Sequence, residues 1–237
     1  MIPESELLLV AGAFALYAFD ASRLLYADEF VLEGGDGRWR ARDGAALLLV
    51  GRRPLVPDLL RPARALLPVS VDRLVQGGVP GNDARHFLAA LRPFGRRATT
   101  LLLLFFPTLP LVLRGFGTGV ELLVWMIAVY AVIGSIVWRL WHYRRVLELA
   151  PTAVVSLALE CLLCAPFAIN IVRKLSSRAE RVDLDNARRV LGRAGSEALR
   201  RAAAHRIDDM LSYLPPNAPD AAPLAEQRSR LMPEAVR

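Results

Sequence analysis

A single carboxylate, Glu160, lies near the middle of an otherwise apolar stretch from Pro151 to Val172, with Arg173 and Lys174 just beyond it. A run of this length is long enough to cross a bilayer as a helix. A carboxylate at that depth costs at least a few kcal/mol on insertion scales, roughly 2.5–3.5, so it faces protein or water rather than lipid. On a helical wheel Thr152, Ser156, Glu160, Cys164 and Asn170 share about one third of the circumference. The segment thus has one polar stripe, expected to pack inward, and a lipid-compatible remainder. This pattern predicts an integral membrane protein.

Three further apolar segments join it, and the fold class they predict is mainly α: polytopic membrane helices with a small β-rich insert and a C-terminal amphipathic helical extension. The first runs from Leu7 to Phe19, and a pairing of Asp20 with Arg23 one turn on would extend it as a helix to Tyr26. Its Ala11, Ala15, Ala18 and Ser22 form a small-residue ridge of the kind that lets membrane helices approach closely. The acidic start Met1-Ile2-Pro3-Glu4-Ser5-Glu6 is unlike a secretory signal, so residues 1–26 read as a retained anchor. The second segment, Thr99 to Val112, contains Pro107 and Pro110, which remove backbone donors and predict a kinked or broken helix. The third, Val120 to Trp138, is linked to the second by a glycine-containing hairpin, Arg114 to Gly119. Residues 99–174 thereby form the membrane region: a hairpin over 99–138 and the segment 151–172.

Residues 27–98 are mixed in character. Glu29-Phe30-Val31-Leu32-Glu33 and Arg38-Trp39-Arg40-Ala41 flank Gly34-Gly35-Asp36-Gly37, a hairpin signal rather than a phosphate loop. Ala46 to Val50 and Ala65 to Val71 can add strands, and the prolines at 54, 57, 62 and 68 argue against long ones. Asn82 or Asp83 can cap a short helix ending at Leu91, before Pro93. Beyond Lys174, residues 175–214 are charged and helical. Ser177 to Glu180 has capping-box spacing, and Leu184, Ala187, Leu191, Ala194 and Ala198 form a periodic stripe. Gly192 and Gly195 favour two helices over one, and the proline- and alanine-rich residues 215–237 are expected to be disordered.

Net charge is +7, and of 30 basic residues only Lys174 is lysine. Such an arginine excess fits codon bias in a GC-rich bacterial genome. The functional alternative is binding to anionic headgroups, which is preferred over nucleic acid because the arginines flank membrane segments. Three basic regions ask for the cytoplasm: Arg92, Arg96 and Arg97; Arg139, Arg144 and Arg145; Arg173, Lys174, Arg178 and Arg181. Four full spans cannot satisfy all three, so either one region is external or the fourth segment is re-entrant, bent at Pro166. The first has the higher prior, with the N-terminus external.

Candidate chemistry is sparse. Glu160, with Ser156, Cys164 and Asn170, is either a proton- or substrate-binding group or a structural hydrogen-bonding one. Trp138, Trp141, His142, Arg144 and Arg145 have the composition of an interface anchor. Cys161 and Cys164 form a C-x-x-C inside apolar sequence with no second pair to complete a zinc site, and the three histidines lack metal-ligand spacing. No cofactor is expected, and no catalytic constellation is assembled. The function expected is that of a bacterial inner-membrane accessory or scaffold subunit, with the bilayer, anionic headgroups and a membrane-protein partner or second copy as contacts. A proton-coupling or transport subunit using Glu160 comes second, and a lipid-active membrane enzyme third.

Overall fold

A computed structural model describes residues 4–26, 29–35, 38–45, 49, 52–70, 84–116, 119–178, 184–215, 218–219 and 221–231. The chain is mostly helical, with two small antiparallel sheets, and divides into two compact units.

The first unit comprises residues 1–22, 56–64 and 86–176. Helix α1 (Glu4–Ala21) ends before the expected extension to Tyr26. Asp20 pairs with Lys174 rather than Arg23, and Arg23 begins a strand, so the local ion pair that would have carried the helix onward does not form. On α1 the side chains of Tyr17 and Ala21 are buried, while Ala11 and Ala15 of the small-residue ridge are exposed.

Helix α2 (Ala84–Leu103) runs through Pro93, correcting the expected stop at Leu91. The capping candidates Asn82 and Asp83 lie outside the described residues. A π-helical turn, Leu104–Thr108, follows and leads directly into α3 (Leu109–Phe116). The break anticipated at Pro107 is thus absorbed by a π turn. Proline cannot donate to the Leu103 carbonyl one turn back, and the Thr108 hydroxyl donates to it instead at 2.9 Å. The Leu104 carbonyl accepts the Trp125 indole N–H at 3.0 Å. Helix α4 (Val120–Tyr143) buries Val129, Ile133, Ile136 and Leu140, the i, i+4, i+7, i+11 stripe of one face.

The fourth apolar segment is not one helix. Helix α5 (Pro151–Leu163) ends at Cys164, whose backbone leaves the helical region. A short α6 (Ala165–Ile169) restarts with Pro166 in its first turn, and α7 (Ile171–Arg178) follows Asn170. Thirteen helical residues span roughly 20 Å, short of the ~30 Å hydrocarbon core. Two helical stretches, His86–Gly115 and Val120–Tyr143, are long and apolar enough to cross a membrane by length and composition.

The second unit comprises residues 23–55, 65–85 and 177–237. Strands β2 (Glu29–Gly35) and β3 (Arg38–Arg42) form the expected antiparallel hairpin, and β5 (Ala65–Ser70) pairs with the other side of β2. As the central strand, β2 is buried on both faces. Strands β1 (Arg23–Leu25) and β4 (Arg53–Leu55) form a separate pair. Pro54 and Pro68 sit on edge strands, where a missing donor is tolerated. Leu25, Val31, Leu55 and Leu66 make a shared core. The turn residues Asp36 and Gly37 and most of the candidate strand 46–50 lie outside the described residues.

Helix α8 (Leu184–Tyr213) is continuous, so Gly192 and Gly195 do not split it as expected. Arg206 on α8 is buried and donates to the Tyr26 and Glu29 carbonyls, and Arg53 pairs with Asp209 at 3.2 Å. These tertiary bonds and buried Leu199, Ala203 and Ile207 outweigh the glycine cost of about 1 kcal/mol each. The side chains of the stripe Leu184, Ala187, Leu191, Ala194 and Ala198 lie outside those described, as do Ala179 and Glu180 of the capping box. The tail, expected to be disordered, contains α9 (Ala221–Leu231), which buries Leu224 and Leu231 and pairs Arg228 with Asp208. Two apolar side chains and one ion pair suffice to dock a segment that composition alone marks as loose.

Within the first unit, a Cβ added to Gly95 would lie 3.0 Å from the Ala63 Cβ, so the loop 56–64 and α2 meet where only glycine fits without adjustment. Gly95→Leu should lower stability by about 1–3 kcal/mol through overpacking. The melting temperature in detergent, compared with that of Gly12→Leu, where added atoms meet open space, is the check.

Candidate functional site

An assembly of polar groups in the first unit forms where α1, the α5–α7 segment and the loop 56–64 converge. Lys174 lies at its centre. Its Nζ is 2.9 Å from Asp20 Oδ1 and 2.9 Å from Glu160 Oε2, and it stands 4.7 Å from the centre of the Phe167 ring. Asn170, fully buried, donates through Nδ2 to Asp20 Oδ2 and to the Tyr17 carbonyl, both at 3.0 Å. Its Oδ1 accepts from Arg173 Nη1 at 2.8 Å. Arg173, 3% exposed, also donates to the Tyr17 hydroxyl at 3.2 Å and to the Asp58 carbonyl at 2.6 Å. Tyr17 in turn donates to the Leu59 carbonyl at 2.6 Å. Asp58 holds its loop in shape by accepting from the Leu60 N–H and pairing with Arg61 and Arg64.

Local structure explains the convergence. Asn170 occupies the joint between α6 and α7, where the backbone departs from helical geometry, and its side chain bonds to α1. Arg173 and Lys174 follow on the first turn of α7, pointing to neighbouring directions on the helix, one toward the loop and one toward the carboxylates. The break at Cys164 is what allows residues 160 and 174 to meet. In a continuous helix they would lie about 21 Å apart along the axis.

The Lys174 ammonium faces two carboxylates, while the Arg173 guanidinium bonds to neutral acceptors. Burial disfavours the Lys174 ammonium, and its hydrogen bonds to Glu160 and Asp20 offset that cost. Lysine suits the position because its ammonium is compact and directs three donors freely, whereas an arginine fork is planar and larger. In a chain whose other 29 basic residues are arginine, the lone lysine is the signal that points to this cluster.

The sequence candidates fall as follows. Glu160 and Asn170 join the cluster. Ser156 is exposed, with its hydroxyl 3.4 Å from Glu160 Oε1. Cys164 is half-buried at the helix break. The inward stripe is displaced: α5 buries Val154, Leu157 and Cys161, while Thr152 and Ser156 face outward. Burying the apolar face avoids desolvating hydroxyls that have no deep partner. Tyr17, Asp20 and Arg173, unmarked as site residues in the sequence, complete the cluster. Trp138, Trp141, His142, Arg144 and Arg145 gather instead at the end of α4. Both tryptophans are exposed, and the Arg144 guanidinium stacks 4.1 Å from the Trp141 ring centre. Among the described residues no group of three His, Cys, Asp or Glu side chains is arranged to hold a metal ion. Comparison with protein-family models, curated proteins and solved structures gave no match.

Two outcomes follow from this geometry. Lys174→Met leaves two neighbouring carboxylates without their cation, at a cost approaching the ~3–5 kcal/mol of a broken buried pair, reduced because the Glu160 side chain is 38% exposed. Lys174→Arg should recover only part of this, as read by thermal unfolding of both variants. Held by both carboxylates, the Lys174 amine should at mildly alkaline pH react with acylating reagents far more slowly than the chain's α-amino group, and Asp20→Asn should speed it. Peptide mass spectrometry after timed labelling reads both.

Proposed function

We propose that this chain is a multi-pass protein of a bacterial inner membrane, a non-catalytic accessory or scaffold subunit acting through partner and lipid contacts. The membrane part of the reading is supported by exposure. Only 17% of the most apolar window of α4 is buried, and Leu123, Val124 and Ile127 stand open on it. A soluble monomer rarely leaves so large an apolar surface uncovered. The arginine excess supports the bacterial assignment, and the exposed Ala11 and Ala15 of α1 support a close helix–helix contact with a partner or second copy.

The observation that carries the non-catalytic reading is the bonding of Glu160. Its carboxylate is engaged by an ammonium that it shares with Asp20, which ties it to α1 and α7 rather than leaving it open to a substrate. The role that fits is a polar clamp holding α1 to the α5–α7 segment.

Segment 151–178 is read as re-entrant. The Tyr130 hydroxyl donates to the Leu162 carbonyl at 3.3 Å, and Tyr130 is 13 residues from the end of α4, roughly 20 Å along its axis. The break at Cys164 follows directly, before the chain reaches Arg173 and Lys174. A re-entrant segment is compatible with the positive-inside bias, which favours all three basic regions on the cytoplasmic side and an external N-terminus.

The decisive comparison sets Glu160→Gln beside Glu160→Leu in cells. The glutamine keeps the shape and hydrogen-bonding capacity at 160, so assembly and cellular function should survive. The leucine should loosen the complex by about 1 kcal/mol. Crosslinking in mild detergent, followed by mass spectrometry of co-purifying proteins, measures assembly. An intact complex that is inactive with glutamine would overturn the scaffold reading in favour of transport or catalysis.

A further inference from the structure

A second group of side chains in the first unit forms an open cavity of about 300 Å³ lined by Arg97, Ser135, Trp138, Arg139, His142 and Tyr143. That volume is at the lower end of the roughly 300–1,000 Å³ typical of small-ligand sites. Ser135, Arg139 and His142 are spaced i, i+4, i+7 on α4, so one helical face presents all three. Arg97 reaches in from α2, fixed by its Nε donating to Ser135 Oγ at 2.8 Å and its Nη1 to the Pro93 carbonyl at 2.7 Å. The Ser135 hydroxyl donates onward to the Val132 carbonyl. Arg97 is therefore pre-oriented, with further N–H groups left over.

The lining contains two guanidinium groups and an imidazole but no carboxylate. Arg97 and Arg139 are close enough to repel each other, and Arg139 makes no hydrogen bond or ion pair with any described residue. Like charges gathered around one cavity without an acid are stabilised by an anion from outside. Arginine favours phosphate for its charge and its paired donors. The position narrows the source. The cavity lies at the C-terminal end of a 24-residue apolar helix, beside Trp138 and Trp141, which are 73% and 51% exposed. Amphipathic aromatics at the end of an apolar helix mark headgroup depth, and basic pockets at that depth take lipid phosphates.

We propose that this cavity is a binding site for the phosphate of an anionic phospholipid headgroup, gripped by Arg97 and Arg139 with His142 beside them and the aromatic rings against the glycerol and upper acyl chains. The site rests on the membrane reading above, and it names where on the chain the lipid contact is made.

The test uses the full chain purified in mild detergent, with native mass spectrometry of bound molecules during titration with phosphatidylglycerol, phosphatidylcholine or inorganic phosphate. Phosphatidylglycerol should occupy one saturable site in preference to phosphatidylcholine, and inorganic phosphate should compete only weakly. Arg139→Gln should weaken phosphatidylglycerol roughly tenfold or more, the loss expected for one charge-assisted pair. That variant removes no hydrogen bond within the described structure, so folding is preserved. Arg114→Gln, a basic residue at the far end of the helical hairpin, should leave binding unchanged. Equal binding by Arg139→Gln and the unaltered chain would overturn the site. Inorganic phosphate binding as tightly as phosphatidylglycerol would overturn the lipid source in favour of a soluble phosphate. A chain washed from membranes by alkaline carbonate would sink the membrane reading and the lipid source with it. Loss of Arg139-dependent phosphate binding is a separate result, which keeps the two failures apart.

Discussion

The ammonium of Lys174, held between Asp20 and Glu160, is the contact on which the arrangement of the first unit depends. A charge removed from water costs several kcal/mol unless it is matched and hydrogen-bonded. Here each carboxylate is matched by the same cation, and Asn170 and Arg173 satisfy what remains on the α1 side. The arrangement needs α1, α5 and α7 at one place at once. Hydrophobic burial is non-directional, whereas this set of bonds forms in one alignment only. The clamp therefore sets register, with Leu157, Cys161 and Ile169 supplying the apolar burial around it.

Two backbone irregularities make the clamp and its surroundings possible, and each has its own local solution. At Pro107 a π turn and the Thr108 hydroxyl satisfy the carbonyl that proline leaves open, so the helix continues. At Cys164 the helix stops and restarts, and the chain redirects Asn170, Arg173 and Lys174 toward α1. Proline is involved in both places. A hydroxyl one residue after Pro107 preserves the helix, whereas Pro166 sits in the first turn of a new one, where its missing donor costs nothing.

The two polar assemblies of this unit differ in kind. In the Lys174 cluster cation and carboxylates bind one another, although Arg173 Nε is buried without a partner among the described residues. The cavity at the end of α4 is open and carries cationic charge only. The first suits a structural clamp and the second fits the ligand proposed for it, so Glu160, the most conspicuous residue in the sequence, is the weaker functional candidate.

Sequence pattern alone determined the apolar helices, the hairpin of β2 and β3, the strand at 65–70 and the helical C-terminal region, because hydrophobic period and turn chemistry are local properties. It also determined that Glu160 needs a partner, since the cost of an isolated charge in an apolar stretch is independent of fold. Tertiary structure alone decided which partner. Asp20 chose Lys174, 154 positions away, over Arg23 three positions away, because the distant cation also neutralises Glu160. It decided that α8 runs through two glycines and that residues 221–231 fold onto α8, since long-range contacts outweigh local preferences of about 1 kcal/mol per glycine, whereas the break at Cys164 follows a local signal, Pro166. Arg97, Ser135 and Arg139 could not be read as one site from spacing, because their meeting depends on how α2 lies against α4, and no local rule sets that packing.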